Sequence, residues 1–242
     1  MVQLWFLPLT SLDVVLIIII DAIGFLSIAI SLTLARRGYK KWIPRKFTHI
    51  AVSSLIALSL PFFSSLTAPA IALGVFLVVL FGCSFLGLDL KGLVLSAGTR
   101  KGESKLGTFL VAFFSLVVFA TVFLIFVDIP FIFVSSILAV SWGDGAGEVV
   151  GRPLGRNRFS VWGGKTKSVE GSLAVMAMTF VAVMVAFFLF PIPASVQSLL
   201  LAAATVSLVV AVVEVLCLSW TDNVVIPLLS AFVLWYLLFV LF

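Results

Sequence analysis

Asp144 and Glu148 stand four residues apart in Trp142–Ser172 (WGDGAGEVVGRPLGRNRFSVWGGKTKSVEGS), between two long apolar segments. If the helix entering this stretch continues, that step stacks the two carboxylates on one face. Arg152, Arg156, Arg158, Lys165 and Lys167 follow, and Glu170 opens the next apolar segment. Carboxylates, cations and a glycine-rich backbone at a membrane face suit a divalent metal and a polyphosphate. One or two carboxylates plus substrate phosphates is how Mg²⁺ is normally held. Gly145 and Gly147 leave room for backbone to approach phosphate oxygens. The GGKTKS segment is not a Walker A motif, which needs G-x-x-x-x-G-K-[ST].

Three further polar clusters need an explanation. Arg45, Lys46 and His49 (PRKFTHI) enter an apolar segment at helical spacing, and His49 is the chain's one histidine. A snorkelling basic collar accounts for the cations, while an ionisable group inside the membrane boundary usually faces the bundle interior. Arg100, Lys101, Glu103, Ser104 and Lys105 form a charged turn before another segment. Glu214 lies inside an otherwise apolar segment, with Asp222 and Asn223 just beyond it. An unpaired carboxylate there costs a few kcal/mol or more, so Glu214 is expected to be paired, protonated or functional. Asp222 and Asn223 are also good helix caps. Asp21 lies in the outer half of the first segment, where a polar group on a neighbouring helix would partner it, and it is not placed in the site.

The elements that must position these residues are membrane helices. Of 242 residues, 63% are hydrophobic and only 10% charged, far below the roughly 25% charged in soluble domains. The reading is an all-α, polytopic helix bundle forming a single domain over 1–242. Eight spans are expected at roughly 12–35, 47–63, 68–87, 106–127, 129–143, 170–190, 197–218 and 224–242, the fifth continuing as a helix into the polar stretch. Short alternating strands of a membrane barrel are absent. The first segment is too long for a signal-peptide core and no A-x-A-like site follows it, so it reads as a retained helix. Pro61, Pro130, Pro191 and Pro193 punctuate turns on one side. Cys83 and Cys217 fall in apolar segments and read as structural thiols.

Charge then orients the bundle. All 15 Lys and Arg fall in 36–46, 91–105 and 152–167, the first, third and fifth connections of an eight-span chain. The intervening turns PFFSSLT, VDIP and PIPASVQ carry no cation. By the positive-inside rule the expected cytoplasmic loops are about 36–46, 88–105, 144–169 and 219–223, with both termini on the other side. The net charge of +5 is then explained by orientation and anionic phosphate groups, and no nucleic-acid partner is expected.

With these clusters assembled, the chain resembles the CTP-dependent polyprenol kinase family, which includes dolichol and phytol kinases. The motifs are R-K-x-x-H at Arg45, Lys46 and His49, and G-E-S-K-x-G at Gly102–Gly107. Then come G-D-G-A-G-E-V-V-G-R-x-x-G at Gly143–Gly155, K-T-K-S-x-E-G-S at Lys165–Ser172, and E…D-N-x-x-x-P at Glu214, Asp222, Asn223 and Pro227. They fall in the family's order over about three quarters of the chain. Where the family often has Ala-Asp this chain has Gly147-Glu148, which keeps a carboxylate on a longer arm.

The resemblance implies transfer of the γ-phosphate of CTP to the hydroxyl of a membrane-resident isoprenoid alcohol, of dolichol, geranylgeraniol or phytol type, with Mg²⁺ as cofactor. Asp144 and Glu148 would hold the metal. The nucleotide would be bound by Arg100, Glu103, Lys105, Gly143, Gly145, Gly147, Lys165, Lys167, Glu170 and Gly171. Arg45, Lys46 and Asn223 would contact the lipid substrate, and Glu214, Asp222 and His49 are alternatives for orienting or deprotonating its hydroxyl. The site would face the cytoplasm, in the cell membrane of a prokaryote or the endoplasmic reticulum of a eukaryote. The competing readings are a CTP-dependent diacylglycerol kinase and a CTP:phosphatidate cytidylyltransferase, whose D-R-x-D-like signature is missing here. A multispan transporter is the alternative of another class; its usual internal repeats and midplane site are not visible. The lipid's length and the oligomeric state stay open.

Overall fold

The computed structural model describes residues 8–65, 67–85, 105–162, 165–217 and 221–241; the side chains of 77, 80–85, 105–109, 112 and 165 lie outside that description. Two compact units divide the chain, 1–109 and 110–242.

The first unit holds α1 (Ser11–Arg36), α2 (Trp42–Ser59) with a 3₁₀ turn at Leu60–Phe62, and α3 (Thr67–Phe85). α1 is apolar on its outside, where Leu12, Val15, Ile18, Ile23 and Leu26 are exposed, and polar or small on its buried face, at Asp13, Asp21, Gly24, Ser27 and Ser31. Lipid offers no hydrophobic penalty to the first face, and small residues let helices approach on the second. Ser31 Oγ donates to the Pro44 carbonyl at 2.8 Å, joining α1 to the first turn of α2. Asp21 has no hydrogen bond or ion pair among the described residues, so the expected partner on a neighbouring helix is not there.

The N-terminus of α1 is closed by a capping box. Thr10 accepts from the Asp13 amide while the Asp13 carboxylate accepts from the Thr10 amide and hydroxyl, each at 2.9 Å. The same carboxylate accepts from the Ser64 amide at 2.9 Å and from the Ser64 hydroxyl, fastening the α2–α3 turn.

The second unit is built from α4 (Lys105–Ile125), which begins just before its boundary, α5 (Pro130–Leu138), a π-helical turn (Ala139–Asp144), α6 (Gly145–Leu154), strands β1 (Arg158–Val161) and β2 (Lys165–Ser168), then α7 (Val169–Leu189), α8 (Val196–Leu216) and α9 (Asp222–Tyr236), which ends in a π turn at Leu237–Leu241. α5 is wholly buried over Phe131–Leu138 and packs on α7 and α9. The π turn that follows touches α5, α6, α7, α8 and α9, so it is the hub of this unit. Pro130 supplies the first residue of α5, and Pro191 and Pro193 lie in the short link from α7 to α8, as helix punctuation requires.

Each of the eight expected segments coincides with a helix. α2 starts five residues earlier than the expected 47, because Pro44 is tolerated in a first turn, so Arg45 and Lys46 ride on the helix with His49. The fifth segment does run on, as α6, beyond Glu148. The departure from an all-α chain is the antiparallel β1–β2 hairpin, pairing Arg158 with Ser168 through Val161 with Lys165. Among the described residues, four helices are long and apolar enough to cross a membrane: Ser11–Arg36, Val169–Leu189, Val196–Leu216 and Asp222–Leu241.

Candidate active site

Most charged residues of the second unit lie toward one end of its bundle, and glycines make that possible. Gly143, Gly147 and Gly151 follow one another every four residues and line the face of the π turn and α6 that meets α7. A Cβ on Gly147 would come within 2.6 Å of Val175 Cγ2, and one on Gly143 within 2.5 Å of Thr179 Oγ1. From the other side, a Cβ on Gly171 would meet the Gly147 carbonyl at 3.0 Å. This is small-residue packing of the kind that draws membrane helices together. Gly147 therefore serves close helix contact.

Asp144 ends the π turn and is buried; Glu148 lies one α-helical turn later on the same ridge. A π turn carries one more residue than an α turn and is frequent at functional sites. Glu148 is mostly buried and accepts from Arg152 Nε at 2.7 Å, while Arg152 is half-exposed. Among the described residues no group of three or more His, Cys, Asp or Glu gathers as an all-protein metal cage. Mg²⁺ does not ask for one: two carboxylates a turn apart, with phosphates and water completing the shell, fit its usual donor set.

Lys167, on β2, forms an ion pair with the buried carboxylate of Glu214 at the end of α8. A Cβ on Gly147 would stand 3.8 Å from Glu214 Oε1, so this pair lies against α6, three residues on from Asp144. The hairpin register sets Lys167 opposite Phe159 and Lys165 opposite Val161. Lys165 is thus placed two residues nearer the hairpin tip, where Trp162 is exposed.

Glu170 and Gly171 open α7 beside the pair. Ser168 caps this helix, accepting from the Gly171 amide at 3.1 Å. Cβ atoms on Gly151, Gly155 and Gly171 would all fall within 3.1 Å of its hydroxyl. The Glu170 carboxylate accepts from the Asn157 amide at 3.1 Å and from Asn157 Nδ2 at 2.9 Å, closing the base of the hairpin. At the start of α9, Asp222 accepts from the Asn223 amide at 2.8 Å. Asn223 Oδ1 is buried with no hydrogen-bond partner among the described residues, which is rare enough in proteins to need a reason.

One end of this unit thus gathers Gly143, Asp144, Gly145, Gly147, Glu148, Lys167, Glu170, Gly171, Glu214, Asp222 and Asn223. In the first unit, Arg45, Lys46 and His49 share the first turns of α2; Lys46 is buried there, and Arg45 and His49 are half-buried. Arg100 and Glu103 lie outside the described residues, as does the side chain of Lys105, which begins α4. Cys217, just past α8, is half-buried, and the Cys83 side chain is outside the description. Sequence reasoning passed over Ser168, Asn157 and Thr179. The Ser-x-x-Gly step into α7 and the four-residue glycine period were the available signals.

A helical membrane chain with a polar site at one end of a bundle is the class these observations define. The chain is similar to a phytol kinase from Synechocystis sp., with 32% identity over 140 residues, 58% of this chain and 54% of that protein. It therefore spans about half the length of this relative. The resemblance to polyprenol kinases carried by the motifs thus has a counterpart in a phytol kinase. No family model matches the chain, and no solved structure matches it.

Proposed function

We propose that the chain is a membrane-embedded lipid kinase that transfers the γ-phosphate of CTP to the hydroxyl of a long-chain isoprenoid alcohol at the cytoplasmic face. The observation that carries this reading is the 32% identity to a phytol kinase. The clustering of Asp144, Glu148, Lys167 and Glu214 at one bundle end supports it. Phosphoryl transfer depends mainly on positioning and on neutralising charge around the phosphates, which is the work these residue types do.

In this reading eight helices cross the membrane and every cation lies on the cytoplasmic side, with both termini opposite. An isoprenoid alcohol partitions into the bilayer with its hydroxyl near the interface, and CTP arrives from the cytosol, so the two meet at that face. Asp144 and Glu148 would hold Mg²⁺, which when bound screens the negative charge of the phosphates. Lys165 and Lys167 bind phosphate oxygens; Arg100 is the further candidate. The orphaned Oδ1 of Asn223 is an acceptor suited to the alcohol O–H, and that contact would put the hydroxyl near Asp222. Asp222, His49 and Glu214 are the candidates for the proton acceptor, and the base among them is the one that comes within hydrogen-bond reach of the hydroxyl.

The test is turnover by the purified full chain in lipid nanodiscs, with CTP or ATP against farnesol, geranylgeraniol, phytol, dolichol and diacylglycerol. Release of CDP together with a prenyl monophosphate is expected. Preference for diacylglycerol makes it a different lipid kinase, and pyrophosphate in place of CDP makes it a cytidylyltransferase. No nucleotide turnover with any lipid overturns the kinase reading.

A further inference from the structure

Glu214 had been a candidate base for the alcohol, and its surroundings point to another role. We infer that Glu214 is a positioning residue: it holds the Lys167 ammonium where it can also donate to a nucleotide phosphate, and it does not take the alcohol proton. This rests on the kinase reading above.

The argument begins with burial. Glu214 is 6% exposed at the end of an apolar helix, where a lone carboxylate would be costly. Lys167, reaching across from β2, supplies the compensating charge. With Oε1 engaged by that ammonium, the carboxylate has less to offer the alcohol hydroxyl. The lysine keeps a quarter of its side chain exposed while the glutamate keeps 7%, so the open side of the pair is the ammonium. An ammonium carries three N–H donors, and among the described residues Glu214 Oε1 is the one acceptor for it. The remaining donors suit a phosphate oxygen.

Geometry around the pair fits this division. Lys167 is held from below by the β1–β2 ladder, opposite Phe159. A four-carbon side chain on a two-stranded hairpin has many rotamers, and fixing its head lowers the entropy lost when phosphate binds. A Cβ on Gly147 would stand 3.8 Å from Glu214 Oε1, so the carboxylate sits against α6 within a turn of Asp144. One lysine thereby links β2, α8 and the nucleotide side of the site.

The two roles separate in kinetics on the full chain in nanodiscs. Glu214→Gln is expected to raise the KM for CTP by about tenfold while kcat changes by less than about threefold, since a loss in binding shared by ground and transition states moves KM alone. The acid limb of the kcat–pH profile persists, and Glu214→Asp recovers part of the KM. A fall in kcat of about a hundredfold or more at unchanged KM, with that limb abolished, makes Glu214 the base and overturns the inference. The Lys167→Met, Glu214→Gln double variant guards against misfolding. Breaking a buried pair strands a charge, whereas removing both partners does not, so the double variant should melt above Lys167→Met alone. A double variant no more stable than Lys167→Met shows that the pair is not coupled and overturns the inference without touching the kinase reading. Wild-type chain that neither binds nor turns over CTP overturns that reading, and with it this one.

Discussion

Asp13 and Asp144 are both buried aspartates at helix boundaries, one in each compact unit, and their settings differ in a way that separates scaffolding from chemistry. Around Asp13 every neighbour closes the fold: the Thr10 amide and hydroxyl cap α1, and the Ser64 amide and hydroxyl fasten the next turn. Both carboxylate oxygens accept from donors within the unit. Asp144 instead ends a π turn touched by five helices, one turn before Glu148 and three residues before the glycine that faces Glu214. Burial alone does not distinguish the two; the identity of the neighbours does. Hydroxyls and backbone amides surround the aspartate that holds the chain together, and other ionisable groups gather near the one proposed to work.

That contrast can be broken by experiment. Asp144→Asn should lower CTP-dependent phosphorylation by about a hundredfold or more, in the range seen when one charge-stabilising group leaves an active site. Asp13→Asn should do the reverse, lowering the melting temperature by several degrees while kcat is kept; a steady-state assay beside a thermal unfolding scan reads both. Equal behaviour of the two variants in both measurements would erase the distinction. Gly147→Ala comes next. Its Cβ would fall 2.6 Å from Val175 Cγ2, an overpacking of about 1–3 kcal/mol, and Val175→Ala in the same chain should recover much of it in detergent unfolding. Arg152→Ala should matter least. Its pair with Glu148 is half-exposed, so a stability change within about 0.5 kcal/mol is expected.

The apolar segments were legible because a membrane-crossing helix needs about 20 apolar residues, and only their ends shifted, as at Trp42. The continuation through Gly143 was legible as well, since nothing between Asp144 and Val150 breaks a helix. The hairpin was not. Its strands are four residues each, set among glycines and cations, too short for an alternating pattern to stand out. The partnership of Lys167 with Glu214 joins residues 47 apart in sequence, and no local period encodes such a pair. Glu170 shows a third kind of miss. Its place at a helix N-terminus was readable, but its use by Asn157 depends on where the hairpin returns.

The π turn at Ala139–Asp144 acts as a phase shifter. Each α-helical residue advances about 100° around the axis, so a single added residue decides which ridge of α6 meets α7 and which carries the carboxylates. Deleting one residue between Ala139 and Gly143 would keep composition, hydropathy and motif order nearly intact. It would turn the ridge of Gly147 and Gly151 off the α7 seam and carry Asp144 and Glu148 around with it. The angular register of this site is stored in a count of residues.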